Sequence, residues 1–348
     1  MRGLLLIVTS LFVGSTVCGQ DFSAKDFLSA SSLSSKKFES YLNKKNFFPG
    51  GSRMQNDTIV NIYNFKRKRK KEDTLQIKRI IESFKTKNDI SFTYFTSKRD
   101  EFLESLDELK RDGFYSGTLT DTAAILFQRK NISVLASTVI ESPGDTVYSL
   151  SFQQKELPPP EKIQYAEDLL QFYSHENLVS VFGNNNVIKD VYYFSESEIS
   201  KCSVLFPKTN RQAVFIWGDE VNLCKPSGVI VGGNTNNANA ANYEGVILEN
   251  LWGLREGVHS GMSLRSLIKA NGNSFMFYGK NSTLPYMIVP ENTGNLDFKR
   301  NMIILGCLNP NSSPLLKKPT IDASEVSADD LGLFVFMIML VPSSVNKE

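Results

Sequence analysis

Three consecutive prolines, Pro158-Pro159-Pro160, place the strongest single limit on how this chain can fold. Each holds φ at about −65° and contributes no N–H, so neither a helix interior nor a central strand can pass through them. The chain must complete its regular structure separately on the two sides. We place a boundary there, between an N-terminal region over residues 20–157 and a C-terminal domain over residues 161–348.

The segment before residue 20 has a different character. Met1-Arg2 gives a short positive start, Leu4 to Val13 is nearly uninterrupted apolar chain, and Gly14-Ser15-Thr16 ends the run. This is the plan of a secretory signal peptide, and it falls short of the about 20 apolar residues that span a bilayer. Val17-Cys18-Gly19 ahead of Gln20 predicts cleavage after Gly19, giving a signal peptide over residues 1–19. The rival reading makes Cys18 a lipidated first residue, against which Val17 is bulkier than the usual neighbour. The expected product is periplasmic or secreted, with no transmembrane anchor in the mature chain.

With 41% hydrophobic and 11% aromatic residues among 348, the chain has ample material for a packed core. Lys and Arg number 39 against 37 Asp and Glu, so no overall polyanion-binding bias and no specific nucleic-acid partner is expected. In the N-terminal region, Asp21–Leu42 has helix-like spacing, Pro49-Gly50-Gly51 predicts a loop over Asn46–Arg53, and Thr58–Tyr63 has strand composition. Ile77, Ile80, Ile81 and Phe84 predict a helix over Leu75–Lys85. A second helix is expected over Asp100–Lys110, with Phe102, Leu103, Leu106 and Leu109 inward and Gly113 past its end.

From Ala123 the preference turns to strands, at Ile125-Leu126-Phe127 and Ile132–Leu135. Val139-Ile140 and Val147–Phe152 form a hairpin around Ser142–Asp145. Beyond the prolines, Glu161–Tyr173 reads as an amphipathic helix with Ile163, Ala166, Leu169, Leu170 and Phe172 or Tyr173 inward. Ser203–Phe206 and Ala213–Trp217 flank a turn, Ser263–Ala270 is a short helix stopped by Asn271-Gly272, and Phe275–Tyr278 and Met302–Leu305 are strands. Leu333–Leu340 is apolar throughout and predicts a strand buried on both faces. The class is therefore α+β, an N-terminal mixed helix/strand region followed by a β-rich C-terminal domain with a few short helices. No repeat of fixed period is visible, which argues against a solenoid or propeller.

From His175 onward, Phe182-Gly183-Asn184, Val204-Leu205-Phe206-Pro207, Ile216-Trp217-Gly218-Asp219 and Gly261-Met262-Ser263-Leu264 resemble uncharacterised exported proteins of Bacteroidota type. The resemblance covers the C-terminal half. It implies an envelope location and a β-rich domain, and no activity comes with it.

Once Cys18 leaves with the signal, Cys202, Cys224 and Cys307 remain. An oxidising compartment permits a bond, and the short separation predicts Cys202–Cys224, a closure worth about 3 kcal/mol; buried unpaired thiols are the alternative. His175 and His259 are the only imidazoles, and neither Cys-x-x-Cys nor His-Glu-x-x-His occurs, so no metal and no cofactor is expected. His259 as a base for one of the thiols is the single catalytic candidate, with an ordinary loop histidine as the plainer reading. Lys66-Arg67-Lys68-Arg69-Lys70-Lys71 is a candidate polyanion site or a solvated loop. Trp217, Tyr243, Trp252 and Tyr278 are candidates for an aromatic binding floor, with core packing as the default. Together these residues predict a non-catalytic binding or structural module whose partner is an envelope component or another protein. The alternative is a hydrolase acting on an envelope polymer.

Overall fold

The structure, a computed structural model, describes residues 22–31, 33, 35–55, 58–66, 79–85, 90–118, 124–129, 132–142, 145–154, 157–195, 197–233, 250–291, 293–309, 311, 313–327 and 332–342. The signal segment, Cys18 and Gln20 lie outside the described residues. No described helix is long and apolar enough to cross a membrane.

The chain begins with two short helices, α1 (Ala24–Ser31) and α2 (Ser35–Lys44). Ser23 and Asp26 cap the first reciprocally, Ser23 Oγ accepting from Asp26 N at 3.2 Å and Asp26 Oδ2 accepting from Ser23 N at 2.9 Å. Four strands follow, β1 (Phe47–Gln55), β2 (Thr58–Phe65), β3 (Arg79–Lys85) and β4 (Ile90–Thr96). A third helix, α3 (Arg99–Arg111), leads into β5 (Tyr115–Thr118), β6 (Ile125–Arg129), β7 (Ile132–Ser142) and β8 (Asp145–Gln154). All eight strands form one antiparallel sheet in the order β1-β2-β3-β4-β8-β7-β6-β5. Two helix-plus-four-strand units thus meet through their last strands. The duplication is topological and leaves no fixed-period repeat in the sequence.

Two expectations for this region are overturned. The Pro49-Gly50-Gly51 segment lies in β1, with a register shift between Pro49 and Gly51. An edge strand tolerates the missing proline N–H, and Gly51 takes the bulge at φ 129. Residues 79–85 form a strand where helical spacing was read, because Ile81 pairs with Tyr63 on one side and Tyr94 on the other. Helix α3 matches expectation, burying Phe102, Leu106 and Leu109, although Leu103 is exposed.

Helices α1, α2 and α3 cover one face of this sheet. Alternate strand residues meet them, and the rings of Phe27, Phe92 and Phe152 stack with centroids 5.3, 4.1 and 5.4 Å apart.

Beyond Pro158 the chain makes two 3₁₀ turns, Pro160–Lys162 and Ala166–Gln171, in place of the single helix expected over 161–173. Ala166 N donates to Gly253 O at 2.9 Å, a partner outside the segment that diverts the backbone from α-helical pairing. Of the inward positions, Ile163, Ala166, Leu169 and Phe172 are nevertheless buried, whereas Leu170 and Tyr173 are half-buried. Then come α4 (His175–Phe182), β9 (Val187–Tyr193), β10 (Ile199–Leu205), β11 (Ala213–Asp219), β12 (Cys224–Gly232), α5 (Leu264–Asn271), β13 (Met276–Tyr278), β14 (Asn301–Cys307), β15 (Thr320–Asp322), α6 (Ala323–Ser327) and β16 (Leu333–Leu340). Ser263 caps α5 and Gly272 closes it in the left-handed conformation.

A second antiparallel sheet has the order β14-β16-β12-β11-β10-β9, and β13 pairs with β15 separately. Strand β16 sits between β14 and β12, with Val335 and Ile338 in one core cluster and Phe334 and Phe336 in another. Burial on both faces is what its unbroken apolar sequence required. The protein is α+β with mostly antiparallel sheets.

Candidate functional site

Helix α4 opens with Ser174 as its cap, accepting from Asn177 N at 3.1 Å, and this sets His175 against the second sheet. His175 Nδ1 lies 2.9 Å from Ser203 Oγ on β10, and Trp217 Nε1 on β11 donates to the same oxygen at 2.9 Å. Indole N–H is only a donor, so the Ser203 hydroxyl proton is free to point at the imidazole. That assignment makes Nδ1 the acceptor and leaves the neutral ring protonated on Nε2. Burial lowers the His175 pKa, and the nearby Lys189 and Lys37 charges add to the effect against Glu176. The pair resembles a base and nucleophile, but Ser203 is fully buried and its oxygen already engages the indole. Its oxygen joins β10, β11 and α4.

His259 is half-buried, and its Nδ1–H donates to Ser260 O at 2.9 Å. The thiols it would need are buried in three different core clusters: Cys307 beneath the second sheet, Cys224 against the first, and Cys202 on the second sheet's other face. Burial pushes Cys202 and Cys224 up to about 12 and raises Cys307 as well. A protonated, enclosed thiol is a poor nucleophile.

The expected Cys202–Cys224 disulfide is absent; all three cysteines are free. Cys202 pairs with Ile216 from one edge of β11, whereas Cys224 pairs with Asp219 from the other. Two strand spacings, about 10 Å, separate such positions, beyond the roughly 4.4–6.8 Å between Cα atoms that a disulfide bridges. Closeness in sequence did not place them face to face, because a whole strand runs between them.

Trp217 and Trp252 are 2% and 1% exposed and belong to the core. Trp217 stacks on Phe215 at 5.7 Å, and Trp252 Nε1 donates to Arg211 O at 2.6 Å while the Arg211 guanidinium lies 4.8 Å from its ring. Neither indole presents a face to solvent. Tyr278 is half-buried and paired with Thr320, and Tyr243 lies outside the described residues. Of the basic run, Lys66 is exposed with Nζ 5.9 Å from the Phe48 ring centre, and Arg67, Lys68, Arg69, Lys70 and Lys71 lie outside the described residues. The structure thus does not bring the sequence-predicted site residues together.

It does leave one face of the first sheet free of described helices, on which Gln153 is exposed, Thr93, Gln128, Ser133, Ser137 and Ser151 are half-buried, and Ser91 and Ser149 are buried. The helices contacting the first sheet all lie on one face, and the other described helices pack on the second sheet or its neighbours. On the helix-free face, Thr93 of β4 and Ser151 of β8 meet at 3.0 Å between hydroxyl oxygens, as do Ser149 of β8 and Ser137 of β7 at 2.7 Å. Cross-strand partners share a face, so Ser91, Gln153, Ser133 and Gln128 form a further row across β4, β8, β7 and β6. Leu135 and Leu126 are the apolar steps beside Ser151, and Phe95 of β4 lies beside Ser149. Along these four strands the described side chains of this face are uncharged. Glu82, next to Thr93 on β3, is neutralised by Arg53 at 2.9 Å. The signal for this face was present in the alternation of Ser149, Ser151 and Gln153 with Leu150 and Phe152.

A cleft of about 340 Å³ opens beside α3, lined by Phe22, Arg79, Lys98, Glu101 and Glu104 among others. Within it, Arg79 donates from Nε and Nη2 to Glu101 Oε2 at 3.0 and 2.9 Å, and Tyr94 donates to Glu101 Oε1. No family model, curated protein or solved structure matches the chain.

Proposed function

We propose that this chain is exported, is processed after Gly19, and acts as a non-catalytic binding module of the envelope, kin to the Bacteroidota-type exported proteins its C-terminal half resembles. Its recognition surface in this reading is the helix-free face of the eight-stranded sheet. The observation that carries it is the field of Ser, Thr and Gln side chains across β4, β8, β7 and β6, interspersed with Phe95, Leu126 and Leu135 and anchored by the Thr93–Ser151 and Ser137–Ser149 pairs. A rigid sheet holds such groups at fixed spacings of about 4.8 Å between strands. That surface suits an uncharged, hydroxyl-rich polymer, because it offers many hydrogen bonds without a charge to desolvate.

The reading is tested by retention of the purified protein on immobilised neutral and anionic polysaccharides, with Ser151→Arg as the comparison. Binding to a neutral polysaccharide that falls at least about tenfold in Ser151→Arg, with unchanged circular dichroism, supports it; tenfold corresponds to about 1.4 kcal/mol. Equal retention of both proteins, or retention only on anionic polymers, overturns it. Export is tested separately by sequencing the mature amino terminus, expected at Gln20; Met1 as the first residue of the mature protein, or a lipid on Cys18, overturns that part.

A further inference from the structure

We propose that His175 is an acid-sensitive latch between the two sheets: gaining a proton on its imidazole takes away the acceptor of the Ser203 hydroxyl and loosens the joint that residues 173–176 make between them. The inference is independent of the ligand assigned above.

The geometry places His175 at a joint. Its own N–H donates to Leu223 O at 2.9 Å, and Lys225 N donates to Tyr173 O at 2.9 Å, so residues 173–175 are stitched to the start of β12. Ser174 bridges to Cys224, and Cys224 packs into the core of the first sheet. From α2, Lys37 Nζ donates to Asn222 O at 3.0 Å and pairs with Glu176, the residue after His175. One short segment thereby ties both sheets to the imidazole.

Protonation works against the contact the imidazole makes with Ser203 and against the charge balance around it. A charged ring donates from both nitrogens and can no longer accept the Ser203 hydroxyl. Ser203 Oγ would then face two donors, the indole and the imidazolium, and its own proton has no other acceptor among the described hydrogen bonds. The charged groups facing the ring are Lys37 from α2 and Lys189 from β9, with Glu176 on its own helix as the single carboxylate. A third cation enters a site where Lys37 and Lys189 already outnumber Glu176, and burial of the ring disfavours the charge further. The folded protein resists this proton while the unfolded chain accepts it near the ordinary histidine value of about 6.5. Stability is therefore complete above that value and declines as the pH falls below it.

The test follows the tryptophan fluorescence and the unfolding temperature of the full chain from about pH 7.5 to about pH 5, in the wild type and in His175→Gln. Trp217 is the reporter, since its indole donates to the oxygen that His175 faces, and Trp252 donates to Arg211 O instead. The expected wild-type result is a one-proton fluorescence transition with a fall in unfolding temperature of about 2 °C, and a flat response in His175→Gln. An identical transition in both proteins, or none in the wild type, overturns the proposal. Should His175→Gln fail to fold, nuclear magnetic resonance of the wild type supplies the second measurement, with His259→Gln assigning the two imidazoles. A His175 titration accompanied by the fluorescence change upholds the latch, and a titration of His175 without it overturns the latch.

Discussion

Tyr41 on α2 donates its hydroxyl to Asp26 on α1 across 2.6 Å, and this contact closes the small helical pair over the first sheet. The other carboxylate oxygen accepts from Lys45 Nζ at 3.0 Å and from Ser23 N at 2.9 Å. Burial alone would raise the Asp26 pKa, but the Lys45 charge and the hydrogen bonds from Tyr41, Ser23 and Lys45 together hold it below its ordinary value. The same burial and the Asp26 carboxylate push the Tyr41 phenol far upward, which keeps it a donor.

The consequence is an acid limb with a definite sign. A carboxyl group titrating lower in the folded state than in the unfolded one contributes its full stability above about pH 4 and loses it as the pH falls through the folded value. Asp26→Asn is expected to cost about 1.5–3 kcal/mol at neutral pH and to flatten the decline below about pH 4. Chemical denaturation at stepped pH checks both. An Asp26→Asn curve parallel to the wild type throughout would contradict the assignment.

Arg79 and Glu101 form the buried ion pair of the α3 cleft, with side chains 3% and 16% exposed. Removing one partner leaves the other charge inside, so Glu101→Ala is expected to lower stability by about 3–5 kcal/mol. Arg79→Met combined with Glu101→Leu is expected to cost less than the two single changes summed, since no unpaired charge remains. A double-mutant cycle in denaturant measures the difference. Strict additivity would show that the pair contributes nothing as a pair.

The three thiols are free, buried and raised in pKa. A thiol-reactive dye at about pH 7.5 is expected to label none of them on the timescale of minutes and all three once the chain unfolds in denaturant. Reductant is expected to leave the unfolding temperature unchanged. Rapid native labelling of any cysteine, or a lower unfolding temperature under reductant, would refute this.

How far the fold could be read in advance differs element by element. Helix α3 was legible because its apolar residues, its acidic first turn and Gly113 are all local. Strand β8 was legible from its period of two, and β16 from an apolar run too short for a bilayer. The residues of β3 match a helical and an extended template almost equally, since Ile80 and Ile81 lie on opposite faces of a strand yet near one another on a helix. Candidate site residues fared differently. The aromatic floor could not be judged from sequence because Trp217 and Trp252 serve equally well as binding platforms or core, and burial by distant residues decided.

By itself the sequence determined the α+β class, the capped helices α3 and α5, the hairpin of β10 and β11, and the doubly buried β16. Each follows from turn chemistry, capping residues or hydrophobic period within a dozen or so neighbours, where backbone sterics and one-sided burial act directly. The tertiary structure alone decided that Pro49-Gly50-Gly51 is an edge bulge, that Cys202 and Cys224 stand on opposite sides of β11, and that β4 meets β8 to fuse two topological halves. These outcomes depend on which distant segments pair and in what register. Pairing energy is shared between partners far apart in the chain, so no local stretch carries it.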